Sequence, residues 1–366
     1  MSNRLSKGGD LINRNKRLDF SFDGKKLYGF EGDTLASALL ANGQNLVGRS
    51  FKYHRPRGIV ASGVEEPNAL VSLGTGPEFE PNQRATVVEL YNGLVSRSQN
   101  RWPSLKFDMG ATISLLGSIF SAGFYYKTFI YPRAAWKHIF EPLIRHTAGL
   151  GKAPRYADPD RYEHFYCHTD VLIVGGGASG LIAAKLIGMS GAKTLLLEQS
   201  PHIGGRCLID KVKIDGKDSR RWVEDLADEI SKIDNVTMKR RTVCSGIYDH
   251  GFVIGYERVN DHQPNPGSIR HRLWKIRAKK IIVATGSIER PLVFPGNDLP
   301  GVMLASAVRD YASLYGVSSG DRTVLITNND NAYKTAIQLK SLGLSVPAIL
   351  DIREESNGPL VQEAKN

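Results

Sequence analysis

Cysteine is scarce in this chain and badly placed for cysteine chemistry. Among 366 residues there are three, Cys167, Cys207 and Cys244. None lies in the first 166 residues, and no two make a C-x-x-C pair. An odd, scattered set excludes a disulfide framework and a cysteine zinc site, and it fits a reducing compartment. It also excludes the adjacent thiols that a disulfide reductase cycles. A plant-type [2Fe–2S] cluster needs four thiolates, so nothing before Cys167 can hold one. Long apolar runs are lacking too. No stretch reaches the ~18 residues of a membrane span. The nearest, residues 111–131 (ATISLLGSIFSAGFYYKTFIY), is interrupted by Ser, Thr, Gly and Lys127 and reads as a buried helix or interface segment. The N-terminal residues carry charge but no apolar signal-peptide core, so a cytoplasmic protein is expected.

Acidic residues are in deficit. Asp and Glu number 37 against 48 Lys and Arg, a net charge of +11. Such a surface suits nucleic acid, an acidic partner subunit or an anionic cofactor. The segment GRSFKYHRPRGI (residues 48–59) concentrates basic and aromatic side chains. With no recognisable nucleic-acid module around it, it reads as a subunit-contact or structural loop.

What is present is an ordinary globular composition, 41% hydrophobic and 23% charged, long enough for two or three domains. Residues 17–31 alternate apolar and polar on both sides of Asp23-Gly24, a hairpin turn. Asp33 or Thr34 then caps a helix carrying Leu35, Leu39 and Leu40, which Gly43 ends. Residues 68–76 follow as a strand. Hairpin, helix and strand predict a β-grasp module of the plant-ferredoxin type over residues 1–100, without its cluster. Residues 101–165, rich in aromatics and proline, read as a helical connecting segment ending in a polar linker.

Residues 166–310 read as a Rossmann-like dinucleotide-binding domain. The stretch DVLIVGGGASG (residues 170–180) is a strand at 171–174, a glycine loop and a helix at 179–190. Gly175, Gly177 and Gly180 make G-x-G-x-x-G in the context that gives it meaning. The first permits the tight turn, the second lets backbone approach a pyrophosphate, and the third lets the helix pack closely on the sheet. Ala178 and Ser179 open the helix, whose N-terminus faces the phosphates. Glu198 ends the next strand (194–198), where an acid hydrogen-bonds a ribose hydroxyl. Gln199 beside it gives no support for a 2′-phosphate. Gly204, Gly205 and Arg206 form a second glycine contact. The strand at 280–284 leads into Ala284, Thr285 and Gly286, and Asp298, Pro300 and Gly301 follow. That combination resembles the pyridine-nucleotide-disulfide reductase and glutamate synthase-like superfamily. Residues 311–366 begin a second unit of the same kind, with a strand at 323–327, a helix at 332–343 and a strand at 346–353. There Thr327, Asn328, Asn329, Asp330 and Asn331 stand where glycines would, so the fold of a second site is expected with its grip weakened, although Asp351 sits where a ribose acid would. Cys207 reads as small-residue packing.

Beyond these motifs, residues 32–73, 98–111 (SQNRWPSLKFDMGA), 122–129 (AGFYYKTF) and 141–151 (EPLIRHTAGLG) resemble the alpha subunit of heterotetrameric sarcosine oxidase. The likeness runs nearly end to end. Opine oxidases and hydrogen cyanide synthase are similar relatives, some of which keep cluster cysteines absent here. The resemblance implies oxidative demethylation of sarcosine to glycine, with oxygen reduced to hydrogen peroxide and the one-carbon unit passing to tetrahydrofolate or leaving as formaldehyde. It implies amine oxidation on a beta subunit carrying FAD, covalent FMN at the alpha–beta interface, and further gamma and delta subunits. For this chain it implies a tightly held NAD, contacted by Ala178, Glu198, Gln199, Gly205 and about Val243. Leu197 stands where the family tends to have an acid, so one contact is not carried over. Family alpha subunits run far past residue 366, so the second nucleotide unit is expected to be incomplete and the folate domain absent.

The expected fold class is therefore α/β with an N-terminal α+β module: a ferredoxin-like β-grasp, then a two-dinucleotide flavoprotein-type domain, incomplete at its C-terminus. Two other functions compete. A self-sufficient reductase would hold FAD in the first loop and NAD(P)H in the second. A non-enzymatic basic module would bind nucleic acid in a salt-sensitive way.

Overall fold

The alternation around Asp23-Gly24 becomes a hairpin. Strands β1 (Asn13–Phe22) and β2 (Lys25–Glu31) pair antiparallel across a turn in which Asp23 and Gly24 both take positive φ, 49° and 79°. The computed structural model describes residues 3–116, 123, 129, 131–147, 154–265 and 267–365. Helix α1 (Leu35–Ala41) starts from a Thr34 capping box, in which the Thr34 hydroxyl accepts from Ser37 N and the Ser37 hydroxyl accepts from Thr34 N. Asp33, the other expected cap, instead takes the Phe30 N–H, the Ser37 hydroxyl and a two-pronged ion pair from Arg4. Every residue of α1 is buried. Strands β3 (Leu70–Leu73), β4 (Glu80–Arg84) and β5 (Val95–Ser98) complete a sheet of order β2-β1-β5-β3-β4, with β1 and β5 parallel. This is the β-grasp order.

Among its described residues, the connecting segment is only partly helical. Met109–Leu116 forms 3-10 turns, and Arg133–Ala135, Trp136–Phe140 and Glu141–Thr147 are consecutive helical turns. Much of 111–131 and the end of 141–151 lie outside the described residues. The expected linker end is strand, not loop. Strand β6 covers Arg161–Val174, ten residues earlier than the apolar run that announces it. Its first half, RYEHFYCH, is largely exposed and so carries no apolar signal. Its backbone is nonetheless paired, because the similarly long β11 (Ile269–Val283) runs beside it in parallel from Tyr162↔His271 to Val174↔Val283.

Between them come α2 (Ala178–Met189), β7 (Thr194–Leu197), α3 (Ser219–Ser231), β8 (Val236–Lys239), β9 (Thr242–Tyr248) and β10 (Phe252–Arg258). The sheet order is β8-β7-β6-β11-β10-β9. The four strands from β8 to β11 are parallel, and β10 and β9 extend the sheet antiparallel. Leu172, Leu195 and Ile276 form a core on one face, and Ile173, Leu181, Leu196 and Ile230 form one on the other. Both faces of a parallel sheet must be covered in this way.

Packing divides the chain into Pro159–Ile288 and a unit made of Met1–Asp158 with Glu289–Asn366. Residues 289–310, which the sequence joins to the dinucleotide domain, thus pack with the N-terminal module. The reason is α4 (Ala305–Leu314): all of Ala307–Leu314 is buried, and Leu304, Ala307 and Tyr311 belong to the same core as Phe20, Leu39 and Val71. After α4, β12 (Arg322–Thr327), α5 (Asn331–Ser341) and β13 (Ser345–Asp351) form the expected strand–helix–strand, with β12 and β13 a two-stranded parallel sheet.

Candidate dinucleotide site

Strand β6 ends at Val174 and the chain turns through three glycines into α2. Gly175 has φ +109°, and a Cβ there would stand 2.3 Å from the Ala284 carbonyl oxygen, so no other residue fits. A Cβ on Gly180 would lie 1.9 Å from the Gly175 carbonyl oxygen, and this contact seats α2 against the loop. Gly177 is different: a Cβ there would meet nothing within 4 Å, and no side chain caps the helix. The orphan N–H groups of the first turn of α2, at Ala178 and the exposed Ser179, are left to face a ligand at the positive end of the helix dipole. That cradle suits a phosphate.

The acid is held to the loop. The Glu198 side chain is buried; its Oε2 accepts from Gly176 N at 2.7 Å and its Oε1 from Ser200 N at 2.8 Å. Each oxygen keeps a further lone pair for a ribose hydroxyl. Gly176 and Ser200 were not expected to matter. Its place in the middle of three consecutive glycines was the available signal for Gly176, whose Cβ would crowd Glu198 Cβ at 3.1 Å. Nothing in the sequence marks Ser200.

The second glycine contact closes on the first. Gly204, at φ +123°, donates to Gly176 O at 2.8 Å and bridges to Gly177. A Cβ on Gly205, itself at φ +51°, would come within 3.3 Å of Gly177 Cα. Arg206 ion-pairs with Asp210 at 3.1 Å, within its own turn. Gln199 is exposed, and its carbonyl accepts from Arg258 Nη2 at 3.1 Å. Thr242 N donates to Glu198 O at 2.8 Å, which puts the next residue, Val243, beside the acid. Ala284 N donates to Val174 O at 2.8 Å, so Thr285 and Gly286 emerge, exposed, next to Gly175. All the nominated residues therefore gather at the carboxyl ends of β6, β7 and β11, where open α/β sheets bind ligands. Leu197 is buried in the sheet core and points away from this edge.

The second loop has spent its polar groups internally. Asn329 Oδ1 accepts from Asn331 N at 2.9 Å, taking the first amide of α5. The Thr327 hydroxyl bonds with Asn329 at both N and O. Asp351 accepts from Arg353 Nη2 at 2.7 Å and from the Tyr333 hydroxyl at 2.9 Å, and the Arg353 contact holds its carboxyl far below the usual carboxylate range. Arg353 also binds Asp330 at 2.7 Å.

The three cysteines are free thiols. Burial pushes each one up from the ordinary thiol range; nearby Asp210 adds to this at Cys207, while Lys193 opposes it at Cys167. Neutral thiols are poor nucleophiles. Among the described residues, no three His, Cys, Asp or Glu side chains gather to hold a metal, and no helix is long and apolar enough to cross a membrane.

Comparison with known proteins agrees with this geometry. Residues 169–355, more than half of the chain, match the pyridine nucleotide-disulphide oxidoreductase family. Residues 15–101 match the 2Fe-2S iron-sulfur cluster binding domain. Sarcosine oxidase subunit alpha of Rhizobium meliloti is 51% identical over 96% of this chain and 36% of its own length. That of Corynebacterium sp. strain U-96 is 34% identical over 97% of this chain and 32% of its own. The chain thus spans about a third of the length of the curated relatives it matches. Among solved structures, L-proline dehydrogenase from P. horikoshii shares the fold, with TM-score 0.62 and 22% identity over 95% of this chain and 57% of that one. The expected fold class and the resemblance are both borne out.

Proposed function

The chain belongs to the pyridine nucleotide-disulphide oxidoreductase family, and on that premise we propose that it is the dinucleotide-holding part of a sarcosine oxidase alpha subunit. Gly175, Gly177 and Gly180 form the turn, the first turn of α2 receives the pyrophosphate, and Glu198 takes the ribose. Gly204 and Gly205 close the loop from the other side. The observation that carries this reading is the uncapped cradle at Gly177, with the Glu198 carboxylate fixed beside it.

NAD is the proposed occupant, with FAD the alternative in the same loop. A bound dinucleotide supplies a redox-active ring at its far end. No paired thiols stand ready to exchange electrons with that ring, since Cys207 has no partner close in sequence and its thiol stays protonated. By similarity to sarcosine oxidase alpha subunits, amine oxidation is assigned to a beta subunit, with FAD and FMN mainly on or shared with that subunit, and gamma and delta chains completing the complex in the cytoplasm. The reaction would demethylate sarcosine to glycine with release of hydrogen peroxide, the one-carbon unit going to tetrahydrofolate or leaving as formaldehyde. The β-grasp module carries no cluster in this proposal, because residues 1–166 hold no cysteine.

A self-sufficient reductase would need the second loop as well. The Arg353 and Tyr333 contacts on Asp351 count against it. The test is to purify the chain, record its visible spectrum, denature it and identify the released nucleotide by mass spectrometry. Colourless protein releasing NAD is expected. A flavin spectrum with FAD released overturns the NAD assignment and revives the reductase.

A further inference from the structure

The long strands β6 and β11, with β10 and β9, present a sheet face that the dinucleotide site does not use. All of it lies within Pro159–Ile288. Residues paired across strands share a face, and every second residue along a strand joins them. Register therefore puts Tyr248, Phe252 and Arg277 in one row, Tyr166 and Lys275 in the next, and Tyr162 with His271 at the far end. Side-chain contacts agree with that register. The Arg277 guanidinium carbon stands 4.8 Å from the Phe252 ring centre, and the Phe252 and Tyr248 rings are 6.0 Å apart. Lys275 Nζ stands 5.0 Å from the Tyr166 ring centre and 3.2 Å from its hydroxyl.

The two faces of this sheet differ in charge. On the other face Arg272 pairs with Glu163 and Glu257 at 2.9 and 3.2 Å, beside the core residues Trp274 and Ile276. Strand β11 holds six Lys and Arg and no acid. Its two cations on the outer face bond to neutral groups, Lys275 to the Tyr166 hydroxyl and Arg277 to the His250 carbonyl at 3.2 Å. A neutral acceptor cancels no charge. Acids around the face are engaged elsewhere: Asp170 pairs with Lys279 at 2.7 Å, and Asp261 with Arg270 and His271, both at 2.8 Å. Asp249 lies in the turn between β9 and β10.

The rings stay open to solvent. Tyr162, Tyr166 and Tyr248 are 48%, 69% and 55% exposed. The uncompensated cations call for an anion. The exposed rings call for one that carries flat π-faces of its own. Single-stranded nucleic acid has both, in its phosphates and its unstacked bases. In a duplex the bases are stacked away from such rings, and a chain of carboxylates would meet the cations but leave the rings unstacked.

We infer that this outer face of β6, β11, β10 and β9 binds single-stranded nucleic acid. Tyr162, Tyr166 and Tyr248 stack on bases, and Lys275 and Arg277 meet phosphates. Every base has a π-face, so binding tolerates sequence.

The test is fluorescence anisotropy of a labelled oligonucleotide of about 15 residues, matched to the site sizes of stacking platforms. The purified full chain is titrated with it from about 50 to about 200 mM salt. Wild type is expected to bind the single strand more tightly than the matching duplex. Tyr166→Ser with Tyr248→Ser should weaken binding about tenfold or more. Lys275→Ser with Arg277→Ser should weaken it about tenfold at low salt and reduce the salt slope by about 2. Tyr166→Phe with Tyr248→Phe should bind as wild type does, because the rings remain. Melting temperature and nucleotide released per chain should be the same in all four proteins. Wild type that does not bind at low salt overturns the inference. So does binding that neither Ser variant weakens, which would place the strand on another basic surface. Displacement of the oligonucleotide by excess NAD also overturns it, since the strand would then occupy the dinucleotide site. Equal binding of polyglutamate or of anionic lipid vesicles, lost with the cations but not with the rings, overturns it in favour of an acidic chain or a membrane surface.

Discussion

At the scale of single residues, the site depends on what glycine omits and on what one carboxylate gathers. A methyl group on Gly180 would overlap the Gly175 carbonyl, so the first turn of α2 must move away from the loop. Gly180→Ala should cost about 1–3 kcal/mol as overpacking, and it should lower dinucleotide occupancy at least tenfold, read by mass spectrometry of released nucleotide. Occupancy equal to wild type would mean the ligand does not use this helix N-terminus. In the N-terminal unit a different carboxylate does the gathering. Glu66 is buried and accepts four backbone N–H groups, from Val60 and Ala61 on Oε2 and from Asn68 and Ala69 on Oε1. Glu66→Gln turns one oxygen into a donor facing donors. The expected loss is about 2–4 kcal/mol, measured by urea denaturation.

At the scale of elements, the basic segment of residues 48–59 reads from the sequence as a subunit-contact or structural loop, and two of its arginines share one carboxylate of this chain. Arg55 Nη2 binds Asp298 Oδ1 at 2.8 Å, and Arg57 binds the same carboxylate. Burial raises the Asp298 carboxyl, but the Arg57 hydrogen bond and the Arg57 and Arg55 charges outweigh it and leave it below the usual carboxylate range. A carboxyl depressed on folding stabilises above its unfolded value, ~4, and that contribution is lost as pH falls through the lower folded value. The N-terminal unit should therefore lose stability on acidification below about pH 4, and Asp298→Asn should flatten that part of the curve. An unchanged acid limb in the variant would assign the loss to other carboxylates. The long strands β6 and β11 show the opposite case. The first half of β6 was illegible because it is largely exposed and of mixed polarity; it pairs with β11 through backbone and through side-chain contacts such as Phe165 with Trp274 and Arg272 with Glu163, whereas periodicity reports burial.

At the scale of the whole molecule, the chain leaves the N-terminal unit, builds Pro159–Ile288, and returns to finish what it left. Leu304, Tyr311 and Val317 fill the module's core from the far side of the sequence. Each buried Leu or Val contributes roughly 1.5–3 kcal/mol, against a total stability of about 5–15 kcal/mol for a typical domain. A chain cut after Ile288 should therefore leave residues 3–100 open to proteolysis while the dinucleotide unit stays protected. Equal protection of both would show that the module folds without α4.

The sequence by itself determined whatever is encoded locally. The Asp23-Gly24 turn, a helix cap at Asp33 or Thr34, the glycine loop with its following helix and the acid at Glu198 are each set by the conformational limits and hydrogen-bonding reach of a few neighbouring residues. It also determined by subtraction: residues 1–166 hold no cysteine and so offer no thiolate to a cluster. Only the tertiary structure decided that Glu198 braces the loop through Gly176 and Ser200, that Arg353 and Tyr333 occupy the second acid, and that α4 belongs to the N-terminal core. Those depend on which groups meet across long sequence separations, and neither composition nor period records that.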